Sequence, residues 1–119
     1  MITQIAFSGY PCRDVAATRA WYEANLGLHF IGPYLEDGME RYNEVHLGDT
    51  AFSLVWWEWI GREAGTGAGV TFEVDDLDAT LRSLTERGIV SEPITETPVC
   101  RMSVVLDPEG NRIGLHQRK

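Results

Sequence analysis

Asp14-Val15-Ala16-Ala17-Thr18 returns 62 residues later as Asp76-Leu77-Asp78-Ala79-Thr80, and this echo decides the reading of the fold. Each copy follows an apolar or alternating run, Ile5-Ala6-Phe7 in the first and Val70-Thr71-Phe72-Glu73-Val74 in the second. Each leads into a stretch of helical periodicity that stops at glycine, Leu26-Gly27-Leu28 and Arg87-Gly88-Ile89. At the same offset, Gly48-Asp49-Thr50-Ala51-Phe52 answers Gly110-Asn111-Arg112-Ile113-Gly114. Self-similarity at a fixed spacing marks repeated supersecondary units.

The physics inside one unit is readable. Asp14 and Asp76 suit helix N-caps, because a carboxylate accepts from the free amides of the first turn. Val15, Thr18, Tyr22 and Leu26 fall on one helical stripe, as do Leu77, Leu81 and Leu84. Gly27 and Gly88 suit the left-handed position that ends a helix. Short strand patterns follow: 28–34, 41–47 and 50–57 in the first unit, 91–95, 99–106 and 112–117 in the second. They are separated by turn signals at Asp37-Gly38, Gly48-Asp49 and Asp107-Pro108-Glu109-Gly110-Asn111. Each unit is therefore strand, helix and three strands. The expected fold class is α+β: two tandem βαβββ units forming a curled mixed sheet around a groove, with the helices on the outer face. A single domain spans 1–119, with units at 1–60 and 70–119. A glycine-rich linker covers 61–69, and the second unit's first strand is allowed to start at 68.

Composition narrows the functional classes. With 119 residues and 44% hydrophobic content the chain fits one domain with a core. No apolar run reaches the roughly 20 residues of a membrane span, so no membrane partner is expected. No basic, apolar leader opens the sequence, and the cytoplasm is the default location. A net charge of −8 argues against nucleic acid, whose phosphates need a basic surface, and favours cationic over anionic ligands. The two cysteines, Cys12 and Cys100, form no metal-binding spacing and are expected reduced and structural.

The βαβββ repeat, the helix 19–28 (RAWYEANLGL), the stretch 72–79 (FEVDDLDA) and the turn 107–111 (DPEGN) together are similar to the vicinal oxygen chelate superfamily of glyoxalase, bleomycin-resistance and extradiol dioxygenase proteins. The resemblance covers nearly the full length. It implies one divalent metal held by His, Glu or Gln on the first and last strand of each unit. Those positions carry Phe7, Phe52 (Ser53 if the register moves by one), Gly69 and Gly114. None offers a carboxylate, imidazole or thiolate. No cofactor is expected at the family positions, and a divalent metal has a place only through a non-standard site.

Several residues remain as candidates. His116 shares a face with Gly114 and suits a displaced ligand or a general base; the alternative is a structural histidine. Tyr42, Glu44 and His46 alternate with Val45 and Leu47, which places the polar trio in the groove if the apolar pair lies under the first helix. If His46, Glu44 and His116 converge, they make the non-standard metal site. Trp56, Trp57 and Trp59 cluster at a strand end and suit stacking against flat or cationic ligands, or packing at a dimer surface. Phe7, Phe52 and Arg112 complete the ligand-binding candidates. His29 receives no role.

Two readings of function follow, with a third behind them. In the first, the protein binds a small cationic or aromatic molecule in the groove, as bleomycin-resistance proteins do, and forms a homodimer. In the second, it is a lyase, isomerase or dioxygenase-like enzyme, with His116 and Glu44 as the catalytic residues. In the third, it is an interaction module with a vestigial groove.

Overall fold

The computed structural model describes residues 1–67 and 69–119. The first unit comprises β1 (Ser8–Cys12), α1 (Val15–Leu26), β2 (Ile31–Glu36), β3 (Met39–Leu47) and β4 (Thr50–Trp56), followed by the short helix α2 (Trp57–Ile60). The second comprises β5 (Val70–Glu73), α3 (Leu77–Glu86), β6 (Thr95–Glu96), β7 (Cys100–Leu106) and β8 (Arg112–Arg118).

The repeated pentapeptide builds the same helix start twice. Asp14 Oδ1 accepts from Ala17 N at 2.9 Å, and Asp76 Oδ1 accepts from Ala79 N at 3.0 Å. The threonine at the fifth position donates its hydroxyl to the carbonyl of the capping aspartate in both copies, at 2.7 and 2.8 Å. Val15, Thr18 and Tyr22 turn inward from α1, and Leu77 and Leu84 from α3. Gly27 takes φ +66°, a left-handed value that costs a residue without Cβ nothing.

The sheet departs from expectation. The strands form two separate four-stranded mixed sheets, ordered β1-β4-β3-β2 and β5-β8-β7-β6, and not one curled sheet around a groove. In each unit the first strand pairs in parallel with the last, Ser8 opposite Phe52 and Val70 opposite Ile113. The physical reason is the inter-unit packing: side chains, not backbone ladders, join the units. Phe52 meets Phe72 edge-on at 5.2 Å, and Tyr10, Tyr22, Phe52, Leu77, Leu84 and Leu115 share one buried cluster.

Local boundaries also differ. The first strand is Ser8–Cys12, so Ile5-Ala6-Phe7 lies before it, exposed. The strand expected over 91–95 shrinks to Thr95–Glu96, with an isolated bridge from Ser91 to Val105; Pro93 cannot donate to a ladder. Trp57 leaves β4 and starts α2. The expected linker includes Ala68, which lies outside the described residues, as does a strand start at 68.

The 107–111 turn is a joint between the units. Asp107 Oδ1 accepts from the backbone of Glu109 and Asn111, both at 2.9 Å. Asn111 donates to Pro11 O and accepts from Gly67 N. Glu109 Oε1 accepts from the amides of Arg13 and Asp14, at 2.9 and 2.7 Å, at the start of α1. The Tyr10 hydroxyl donates to Arg112 O and accepts from Val70 N.

Candidate functional site

Strand alternation sorts the candidates by face. On β4, Phe52 and Leu54 point to the α1 side, where the Tyr22 ring lies 5.5 Å from that of Phe52. Ser53 therefore points to the opposite face. On β3, Val45 packs in the core, while Leu47, expected beside it, is exposed at the strand end. Tyr42, Glu44 and His46 share the face of Ser53.

These side chains form a polar strip. Ser53 Oγ donates to Tyr42 Oη at 3.0 Å, and Tyr42 Oη donates to Glu44 Oε2 at 3.1 Å. His46 Nε2 stands 3.4 Å from the other oxygen of Glu44. Burial, reinforced by the Glu44 carboxylate, pushes the Tyr42 phenol above its usual value. The phenol thus stays protonated as a donor at neutral pH. Phe7 meets Tyr42 edge-on at 5.5 Å and lies over Gly9, where an added Cβ would stand 3.5 Å from the Phe7 ring and 3.0 Å from Val55. The strip is an aromatic wall beside a line of donors and acceptors.

The second sheet carries a different group. His116 Nδ1 lies 2.6 Å from Glu73 Oε1, and Glu73 Oε2 accepts from Arg118 N at 2.8 Å. The Arg118 amide, then His116, hold the Glu73 carboxylate below its usual range. Sequence reasoning missed Glu73; the signal was its position opposite His116 in the parallel β5–β8 pair. The contacts of Tyr42, Glu44 and His46 stay within the first sheet, and those of Glu73 and His116 within the second. His116 does not join Glu44 and His46: among the described residues no group of three or more His, Cys, Asp or Glu is placed to hold a metal ion. Phe7, Phe52 or Ser53, Gly69 and Gly114 carry no carboxylate, imidazole or thiolate, and Gly114 is tightly covered, since a Cβ there would stand 2.4 Å from Thr71 Oγ1. The residues present do not fit the family's metal.

The remaining candidates scatter. Arg112 pairs with Glu92 at 2.8 Å on the surface. The Arg41 guanidinium lies 3.6 Å over the Trp56 ring, and Trp59 on α2 packs 5.5 Å from Tyr34. Trp57 opens α2. His29 is exposed. Cys12 and Cys100 are buried free thiols. Between the units, a cleft of about 1010 Å³ runs from the C-terminal end of α1 to α3, and Phe52 is part of its wall.

The repeat, the paired βαβββ units and the joint at 107–111 converge with the comparison to known families. The model of the Glyoxalase/Bleomycin resistance protein/Dioxygenase superfamily matches residues 2–115. The chain belongs to this superfamily. Among solved structures it is similar to TnmS3, an antibiotic binding protein from Streptomyces sp. CB03234, at 27% identity and TM-score 0.82, covering 99% of this chain and 98% of that one. A glyoxalase/bleomycin resistance protein from the same organism shares 28% identity with a TM-score of 0.79, over 96% of this chain and 100% of that one. Lactoylglutathione lyase from Agrobacterium tumefaciens matches at 18% identity and TM-score 0.75, over 98% and 94%, which shows the shared fold alone. No curated protein matches the chain. No helix among the described residues is long and apolar enough to cross a membrane.

Proposed function

We propose that the protein binds a small aromatic or cationic organic molecule against the strip of Phe7, Tyr42, Glu44 and His46 and holds it unchanged. The observation that carries this reading is the Ser53–Tyr42–Glu44 chain beside the Phe7 ring, at a place where the superfamily's metal donors are absent. Rings offer a stacking wall, and the chain offers a phenol and a carboxylate that fix orientation. The likeness to an antibiotic binding protein at 27% identity supports the binding of a small organic molecule.

A homodimer belongs to this reading. Every residue of β2 is exposed, and Ile31, Tyr34, Leu35 and Met39 together present apolar surface that a second copy would cover. The test is calorimetric titration with a panel of aromatic and cationic molecules, followed by mass spectrometry of the recovered ligand. Saturable binding, weakened about tenfold by Tyr42→Phe and Glu44→Gln, with the ligand returned intact, is expected. Absence of binding across the panel, or conversion of the ligand, overturns the reading.

The His116–Glu73 pair favours an enzymatic second reading. A carboxylate on Nδ1 fixes the tautomer and leaves Nε2 to accept a proton. Any turnover found must then fall on His116→Ala; turnover that survives this change removes His116 from the chemistry.

A further inference from the structure

The cleft between the units shares no lining residue with the strip. We propose that it is a second binding site, for a flat apolar organic cation. Its volume of about 1010 Å³ is at the upper end of small-molecule sites. Leu26 and Leu28 enter it from the end of α1, Phe52 from β4, Val70 and Phe72 from β5 and Leu115 from β8. Phe52 is buried and braces Phe72 edge to face, so the half-buried Phe72 is the aromatic surface a flat guest meets. Apolar walls from four elements favour a hydrophobic occupant.

Charge selects among such occupants. Glu73 and Asp75 line the same cleft, both exposed, and no Lys, Arg or His is found among its described lining residues. Glu73 accepts one bond on each oxygen, from His116 and from Arg118 N, with the Arg118 guanidinium 3.9 Å from Oε1, and a carboxylate has room for about four. Its capacity for a further cationic donor is therefore not exhausted. The whole chain carries a net charge of −8, so the long-range field also draws cations and repels anions. An anionic or strongly polar guest would meet apolar walls and a repelling rim.

The experiment uses the full chain and isothermal titration with three probes: 9-aminoacridine as the flat cation, acridine as its neutral relative, and acridine-9-carboxylate as the anion. 9-Aminoacridine binds saturably, and the carboxylate binds at least about tenfold more weakly. The pair Glu73→Gln with Asp75→Asn lowers 9-aminoacridine affinity about tenfold and leaves acridine unchanged. Ser83→Trp, which fills the cleft from α3, abolishes binding of both. Glu58→Gln, at an exposed residue outside the cleft and the strip, changes none of these, and Glu44→Gln reports whether the probe sits on the strip. Circular dichroism confirms that each variant folds, and the exposed rim pair decides alone if Ser83→Trp does not. Loss on Glu44→Gln equal to that of the rim pair places the probe on the strip and overturns the cleft site while leaving the proposed function standing. No saturable binding, or binding indifferent to probe charge and to the rim pair, also overturns it.

Discussion

The Tyr22 hydroxyl donates to Asp107 Oδ2 at 2.8 Å, a buried bond between residues 85 apart in the chain. It ties the middle of α1 to the turn between β7 and β8, which also holds Pro11 and the start of α1. The two units are therefore locked at one end by a polar joint and separated at the other by the cleft.

Tyr22→Phe removes this bond and keeps the ring in the core. The expected loss is about 1.5–3 kcal/mol, the range for a hydrogen bond to a charged group, read by urea denaturation. The same variant alters the alkaline limb of stability. Burial, then the Asp107 charge, push the Tyr22 phenol far above its ordinary 10.0. In the unfolded chain it ionises near that value, while the folded chain keeps its proton. Stability is thus complete below pH 10 and falls as pH rises beyond it, by at most about 1.4 kcal/mol per unit for this group. Tyr22→Phe flattens that fall. Tyr10, also raised by burial, retains a share.

Glu109 reaches from the second unit to cap the helix of the first. Glu109→Ala frees the amides of Arg13 and Asp14. A loss of about 0.5–2 kcal/mol is expected, in the range of helix-cap deletions, and Glu109→Gln recovers part of it. A change in melting behaviour no larger than that of a substitution at exposed His29 would refute the capping role.

Gly114 lies tightly against Thr71. A Cβ at residue 114 would lie 2.4 Å from Thr71 Oγ1 and 3.0 Å from its Cβ. Gly114→Ala therefore costs about 1–3 kcal/mol through overpacking. Thr71→Ala in the same chain recovers most of the loss. Denaturation of the single and double variants checks both, and additive costs would contradict the contact.

The donor set predicts the outcome of metal addition. Titration with Zn, Ni, Mn or Fe(II) gives no stoichiometric tight binding, as the His46–Glu44 pair on the first sheet and the His116–Glu73 pair on the second each supply only two donors. A one-to-one metal lost on His116→Ala would overturn this.

The register of one strand shows how far the sequence could be read. Alternation placed Tyr42, Glu44 and His46 together, because a strand's period is fixed by covalent geometry. The same argument left Phe52 and Ser53 interchangeable, since a one-residue shift reverses both faces and only pairing with β1 decides. Glu73 was missed because its partner His116 lies 43 residues away and is brought beside it by a parallel crossover.

The sequence by itself determined the local elements that depend on short-range chemistry: the two capped helices, the glycine that ends the first and the turn at 107–111. Tertiary structure alone decided that the units form two sheets rather than one, that Phe52 faces the core and the cleft, and that His116 stays apart from Glu44 and His46. Those outcomes rest on packing between residues distant in the chain, above all Phe52 against Phe72 and Tyr22 against Asp107. Local propensity carries no information about which distant surfaces meet.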